Sequence, residues 1–399
     1  MIKIILLFIM FLTIVKADRF NAYLLIDDCF CNYENSNGEV KKSTLTRTII
    51  NTDYLKIFNK NKFVVSVNYT GFNKSSYNNK YKIPIGDFHV LNATNFYYSR
   101  KLLNDFIFTI GIINYKTPRF NNNTIYNSIN GIGIYGLIDF ELESCLITYK
   151  KKNFDITTGV ISKGKYVDTT YVLNTNNHTD LTSKLLKAFN GSNGYVTIIN
   201  YKQNDKLSYS FNYYNYKEFI YNIKSKTLNL VGFETKYDRT STVGDMFYGI
   251  LSISKTNGDS SGFKKIDKPN KISNKYYGKY KTNGYNLLLG YNYTIDEFYG
   301  KHSMMLGCEY KYSSDGYDNI AIGAPFSLNN GGAVGSTIKL YGIYTVNRNF
   351  LLNIMYGKYI NGTNKVTMLH GIPLTKPIDS NTHGAVKSDV FNMGLIYKF

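Results

Sequence analysis

Apolar and polar side chains alternate along much of this chain with a period of two residues. The alternation is clearest over residues 284–294 and 303–312. In the first segment, Tyr285, Leu287, Leu289, Tyr291 and Tyr293 alternate with Asn286, Leu288, Gly290 and Asn292. In the second, Met304, Leu306, Cys308, Tyr310 and Tyr312 alternate with Ser303, Met305, Gly307, Glu309 and Lys311. This period predicts β-strands that have one apolar face and one mostly polar face.

Similar or weaker alternation recurs along the whole chain and predicts about sixteen strands. They lie near 20–32, 44–57, 63–70, 88–99, 104–115, 132–149, 154–172, 194–202, 207–220, 226–238, 246–255, 284–294, 303–312, 336–345, 350–360 and 386–399. One long link has a helical pattern, which predicts a short loop helix over 180–191. Asp180 is its candidate cap, Gly191 its candidate terminator, and one face carries Leu181, Leu185, Leu186 and Phe189.

Short and long links alternate between the predicted strands, as they do in membrane barrels with short periplasmic turns and long extracellular loops. Short links include 58–62 and 203–206, and long links include 71–87 and 256–283. Residues 221–225 form a short link where a long one is expected. If the chain is wrongly divided into strands at this point, the strand count falls to fourteen. The predicted fold is therefore an all-β, transmembrane, antiparallel up-and-down barrel.

The first seventeen residues have the composition of a secretory signal. Lys3 precedes an apolar run from Ile4 to Val15, and small residues at Val15 and Ala17 suit cleavage after Ala17. The run is too short for a membrane-spanning helix, which needs about twenty residues. We therefore expect a cleaved segment, 1–17, followed by a single barrel domain, 18–399.

Composition agrees with a barrel and leaves the origin of the charge open. The chain has 38 Tyr, 25 Phe and 32 Gly but no Trp, so tyrosine must supply the interfacial aromatic residues. Its formal net charge is +19, which fits either an anionic partner or a lysine-rich codon bias. No nucleic-acid partner is expected for a protein of this class.

The sequence contains no pattern that indicates an enzyme. The five histidines lack a recognisable catalytic signature, no Cys/His spacing suits a metal, and no glycine-rich loop precedes a helix. Cys29 and Cys31 lie two residues apart, whereas Cys145 and Cys308 stand alone. We expect no catalytic residue, no cofactor and no metal site.

The last strand carries the residues by which the chain resembles a known superfamily. Asn392, Gly394, Tyr397 and Phe399 follow the spacing of a polar residue, a glycine, an apolar residue and a terminal aromatic residue. This run resembles the signal by which bacterial outer-membrane barrels are recognised by their assembly machinery. The resemblance implies a location in the bacterial outer membrane, surrounded by its lipid.

A count of about sixteen strands is similar to that of the general porins. In those proteins the third long loop folds into the barrel and narrows it. On this chain that loop would be 116–131, and its charges are Lys116 and Arg119. It departs from the porin pattern because it lacks an acidic constriction motif. The resemblance also implies a homotrimer.

Two functions remain open from the sequence. The first is a porin-like channel for passive diffusion of small hydrophilic solutes, with anions preferred if Lys116 and Arg119 line its narrowest point. The second is a surface adhesin or antigen in which the barrel anchors long loops such as 256–283 and 313–335. The strand count discriminates, since eight to ten strands would leave a packed interior.

Overall fold

The computed structural model describes sixteen segments of the chain. They are residues 18–34, 40–73, 88–103, 105–116, 138–163, 170–172, 189–220, 224–259, 279–299, 302–314, 317, 320–321, 335–360, 365–369, 372–379 and 387–399. The predicted signal segment 1–17 lies outside this part of the chain and stays a prediction.

The described residues form β-strands joined by turns. In chain order these are β1 Arg19–Glu34, β2 Val40–Phe58, β3 Asn61–Asn73, β4 Phe88–Leu103, β5 Phe106–Lys116, β6 Ile138–Lys150, β7 Phe154–Lys163, β8 Thr170–Val172, β9 Phe189–Lys202, β10 Leu207–Ile220, β11 Lys224–Arg239, β12 Asp245–Asp259, β13 Lys279–Tyr299, β14 His302–Ser313, β15 Ile320–Ala321, β16 Gly335–Thr345, β17 Phe350–Ile360, β18 Lys365–Leu369, β19 Ile372–Asp379 and β20 Lys387–Lys398.

Sixteen of these strands close into an antiparallel barrel. Each pairs with its neighbours in chain order, and β1 pairs with β2 on one side and with β20 on the other. Closure leaves the wall without an edge, so its backbone polar groups are satisfied inside a membrane. The short strands β8, β15, β18 and β19 belong to the long links.

The predicted strand pattern is confirmed. Each of the sixteen predicted segments coincides with a wall strand. The link after β10, which broke the predicted alternation of short and long links, is short, since β11 begins at Lys224. The fallback of fourteen strands is therefore not needed. The expected start of the sixth strand, 132–137, lies outside the described residues.

Several boundaries differ from the prediction. The expected strand 154–172 ends at Lys163, and its last residues form β8, which pairs with β4. The expected turn from Ile295 is mostly strand, because β13 continues to Tyr299. Phe189 and Gly191, expected at the end of a loop helix, lie in β9, while the rest of that helix falls outside the described residues.

The two faces of the wall have opposite character. Outward positions are apolar and exposed, as in Leu289 (49% exposed) and Leu306 (43%), whereas inward positions such as Asn286 are buried. An exposed apolar surface of this extent is stable against lipid rather than water. The free thiols of Cys145 and Cys308 share the outward face, and the side chains of Cys29 and Cys31 are outside the described part.

Aromatic residues form the rim of the apolar surface near the short turns. Tyr201 and Tyr209 stack with ring centroids 6.4 Å apart, and Phe247 packs against Tyr291 at 4.5 Å. Rings of this kind occupy the boundary between the hydrocarbon and the headgroups. Among the described residues, no helix has the length and apolar character needed to cross a membrane.

Candidate lumen site

The inner wall carries a polar chain where the barrel closes. Asn353 on β17 donates from Nδ2 to Oδ1 of Asn392 on β20, at 3.2 Å. Asn392 in turn donates from Nδ2 to Oδ2 of Asp27 on β1, at 3.0 Å. All three side chains are buried. Buried polar groups are costly unless they are paired, so this chain stabilises the closing seam.

Gly394 allows these side chains to come together. A Cβ atom at this position would lie 2.6 Å from the Cβ of Asp27 and 2.7 Å from Oδ1 of Asn353. Any larger residue would therefore displace the side chains of Asp27 and Asn353. Two residues of the expected assembly signal, Asn392 and Gly394, thus contribute to closure on the inner face of the barrel.

The other two residues of that signal face outward. Tyr397 and Phe399 are 39% and 69% exposed, and their rings meet edge to face with centroids 5.0 Å apart. The amide of Phe399 donates to the carbonyl of Ala22 on β1, at 2.9 Å. Recognition of these residues by an assembly machinery stays a prediction.

A buried ion pair lies on the inner wall between β14 and β16. Glu309 and Lys339 are direct partners across the two strands, and Nζ of Lys339 lies 2.5 Å from Oε2 of Glu309. Tyr248 on β12 donates its hydroxyl to Oε1 of Glu309. The ammonium of Lys339 also lies 5.1 Å from the centre of the Tyr341 ring. Each charged group therefore has a partner, which burial requires.

Two glycines make this cluster possible. A Cβ at Gly290 on β13 would lie 2.1 Å from the ring of Tyr248, and one at Gly307 on β14 would lie 2.1 Å from the ring of Tyr341. Each tyrosine therefore lies flat over the glycine of a neighbouring strand. The alternation predicted both glycines on the polar face, but it contained no signal for the rings that cover them.

A second chain of hydrogen bonds connects the wall to a loop residue. Ser313 donates to Asn286 (3.1 Å), and Nδ2 of Asn286 donates to the hydroxyl oxygen of Ser252 (3.4 Å). Ser252 is also hydrogen-bonded to the hydroxyl of Tyr317, at 2.8 Å. Tyr317 belongs to the link between β14 and β16, and its side chain is fully buried. The link therefore enters the barrel.

Tyr317 packs within a large apolar cluster on one side of the inner wall. The buried members of this cluster are Tyr115, Leu142, Leu146, Ile161, Val196, Ile198, Tyr214, Tyr216, Leu228, Leu230, Met246, Tyr248, Ile250, Leu288 and Tyr317. Side chains on the wall of a sixteen-stranded barrel are too short to fill its interior. Burial of this side therefore requires chain inside the lumen, and Tyr317 is a described residue that supplies it.

The same link continues across the barrel. Its residues Ile320 and Ala321, which form β15, pair in parallel with Ile138 and Asp139 at the start of β6. Six wall strands lie between β6 and β14 along the shorter way around the barrel, so these two strands are nearly opposite each other. The described residues of this link therefore mark a strap from one wall to the other.

Because of this strap, the link between β14 and β16 is not the free surface loop that the sequence had predicted. From the sequence alone, the constriction is predicted at 116–131 and an exposed loop at 313–335. Lys116 is the last residue of β5, and its backbone pairs with Asp139. Arg119 lies outside the described residues, so the constriction role of these two residues stays a prediction.

The described residues contain no group of three or more His, Cys, Asp or Glu side chains arranged to hold a metal ion. Nδ1 of His302 is hydrogen-bonded to the hydroxyl of Tyr344. Their rings also pack with centroids 5.4 Å apart. This contact ties β14 to β16 near the turn.

The chain is similar to solved porin structures. OmpF of Salmonella typhi, solved with daunomycin, has a TM-score of 0.51 at 14% identity, covering 95% of this chain and 97% of that one. An anion-selective porin from Comamonas acidovorans scores 0.47 at 11% identity, covering 96% and 99%. OprB from Pseudomonas putida scores 0.48 at 10% identity, covering 97% and 95%.

No family model and no curated protein matches the chain. At these identities the structural likeness concerns the fold alone, and the OmpF structure is the one of these three with a TM-score above 0.5. The closed sixteen-stranded wall and the apolar outer surface agree with that comparison. The chain therefore has the fold of a bacterial outer-membrane porin.

Proposed function

We propose that the protein is a porin-like channel in the bacterial outer membrane, through which small hydrophilic solutes diffuse passively. The observation that carries this proposal is the closed barrel of sixteen strands, whose inner face bears polar and charged side chains. A barrel of this size encloses an aqueous space unless loops fill it. The strand count favours the channel over an anchor for adhesive loops, which eight to ten strands would have supported.

The strap through Tyr317 and β15 sets the shape of the passage in this proposal. Tyr317 packs within the apolar cluster of the inner wall. In this proposal the strap therefore covers that part of the wall, and solutes meet fewer apolar side chains on their way through the barrel.

Single-channel conductance in planar bilayers tests the channel. The wild-type protein should give discrete conductance steps, and Tyr317→Ala should give larger steps because it removes the anchor of the strap. Tyr310→Ala is the matched control. Tyr310 lies on the outward face of β14, the strand that precedes this link, and is 38% exposed. A folded wild-type protein without conductance steps would contradict the proposal.

We also propose a preference for anions, from Lys116 and Arg119. Positive charge at a narrow point between low-dielectric walls raises the local concentration of anions. The reversal potential in a salt gradient should therefore favour anions and should change in a Lys116→Glu/Arg119→Glu double variant. Lys255→Glu, on the outward face, is the control, because exposed charges more than about 8–10 Å from the pore are screened at physiological salt. Unchanged selectivity in the double variant would exclude this loop as the selective element.

The porin resemblance supports a homotrimer, which we include in the proposal. Native electrophoresis of the folded protein in mild detergent, with and without chemical cross-linking, measures the number of subunits. A species of three subunits is expected. A monomer at all protein concentrations would leave the channel proposal standing and would remove the trimer.

A further inference from the structure

Four consecutive short turns on one side of the barrel form a continuous row. They lie after β2, β4, β6 and β9, and backbone hydrogen bonds join each turn to the next. These bonds run from Lys101 N to Lys60 O (2.9 Å), from Lys150 N to Asp105 O (2.7 Å) and from Lys202 N to Asn153 O (2.8 Å). The turns are therefore held side by side by the fold.

This row is strongly basic. Six cationic residues within it, which we call the basic row, form no ion pair with another described residue: Lys60, Arg100, Lys101, Lys150, Lys152 and Lys206. All six are exposed. Two further lysines are neutralised locally, because Lys151 pairs with Asp105 at 2.7 Å and Lys202 with Asp205 at 2.8 Å. Asp105 and Asp205, the acidic side chains of these turns, are thus already paired with Lys151 and Lys202.

The positive charge is concentrated on this side of the rim. On the other side, the end of β13 carries Asp296 and Glu297 next to the exposed ring of Phe298. A general excess of lysine would not by itself separate basic and acidic turns in this way. The separation identifies a surface with a specific electrostatic character.

The basic row lies at the edge of the lipid-facing surface. Phe106 and Tyr149 pack with ring centroids 5.1 Å apart directly beside the turns, and Leu103 is 68% exposed within one of them. Aromatic rings mark the hydrocarbon boundary, and exposed leucine is stable when it contacts lipid. Long basic side chains just beyond this boundary reach the level of the headgroups.

We propose that the basic row binds anionic phospholipid headgroups in the leaflet that faces the short turns. Each lysine near an anionic membrane surface favours association, and a row of six adds these contributions over a short arc. The position of the basic row beside Leu103 and the aromatic pair favours lipid over a solute in the channel mouth. This proposal depends on the barrel lying in a membrane but not on channel activity.

The absence of Trp from the chain allows a site-specific test. Phe106→Trp places a single fluorophore beside the basic row, and Phe298→Trp places a matched one beside Asp296 and Glu297. Each variant of the full-length protein is folded into phosphatidylcholine vesicles containing either brominated phosphatidylglycerol or brominated phosphatidylcholine, at equal bromine content. In the Phe106→Trp variant the phosphatidylglycerol should quench at least about twofold more strongly, and in the Phe298→Trp variant it should not.

Charge removal completes the test. Replacing Lys60, Lys150, Lys152 and Lys206 together by Gln in the Phe106→Trp background should abolish the preference, as should high salt, because these charges are exposed. Asp296→Asn/Glu297→Gln in the same background should leave it unchanged. Equal quenching by the two lipids in the Phe106→Trp variant, or a preference that survives the four substitutions, would overturn the proposal. A four-fold variant that alters ion selectivity but not quenching would also overturn it, and would assign the basic row to the channel mouth.

Discussion

Asn392 on the last wall strand donates a hydrogen bond of 3.0 Å to Asp27 on the first, across 365 residues of sequence. Both side chains are buried on the inner face of the barrel. The bond forms only when β1 and β20 are paired in their native register, which aligns Cys29 with Asn392. It therefore reports closure of the barrel rather than formation of either strand.

Removing this amide should weaken closure. Asn392→Ala leaves the carboxylate of Asp27 with one hydrogen bond fewer, which costs about 1–3 kcal/mol for a buried group. The urea concentration at half-unfolding and the temperature at which the folded gel band disappears should both fall. Met393→Leu, one residue further on the outward face, is the control. Equal stability of the two variants would show that the seam does not depend on Asn392.

A methyl group at Gly394 should be more disruptive than one at another wall glycine. Gly394→Ala forces Asp27 and Asn353 apart, with a cost of about 1–3 kcal/mol from overpacking. In the control, Gly342→Ala, the new Cβ would lie 3.4 Å from Cγ2 of Ile354, which requires little movement. Thermal unfolding in detergent measures both. A similar loss in both variants would contradict the crowding at the seam.

The ion pair between Glu309 and Lys339 should show the asymmetry of buried charges. Glu309→Leu leaves the Lys339 ammonium buried without its partner and should lower the free energy of unfolding by about 3–5 kcal/mol. Glu309→Leu/Lys339→Leu should lower it less, because no charge remains unpaired. A double-mutant cycle on urea unfolding measures the difference. If the double variant is less stable than the single one, the pair is not the main interaction of Glu309.

The faces of β13 and β14 should respond differently to charge. Leu289→Arg and Leu306→Arg expose a guanidinium to lipid and should cost roughly 2–4 kcal/mol near the membrane centre. Asn200→Arg should be tolerated, since Asn200 is half-buried on the inner face and its Nδ2 lies 2.7 Å from Oδ1 of Asp155. Asn292 shares the inner face but is 2% exposed, so it is a poor control. Equal losses of folded protein would contradict the assigned faces.

Deletion of Phe399 should reduce assembly in cells. The expected signal ends with this residue, and its amide also donates to Ala22 on β1. Heat-modifiable migration of the protein from the membrane fraction measures the folded amount. Refolding of the purified variant in detergent separates the two roles, because loss of recognition affects cells but not the purified protein. Normal assembly in cells would exclude the sorting role of Phe399.

The strands themselves could be read from the sequence because their signal is local. A lipid-facing side and an inward side impose a period of two on every strand, and the segments at 284–294 and 303–312 show it without any long-range information. The alternation of short and long links likewise predicted the barrel and its count. The same alternation of side chains placed Gly290 and Gly307 on the polar face of their strands.

The tertiary structure alone decided which inward residues meet and which link enters the lumen. Tyr317 is one of the 38 tyrosines of the chain. It lies in an irregular link, which has no period from which its path can be predicted. Its burial depends on Ser252 and on the pairing of Ile320 with Ile138, which are distant in sequence. The basic row depends in the same way on turns that become neighbours only when consecutive hairpins pair. Periodicity thus determined the wall, and the pairing of strands and links determined the site.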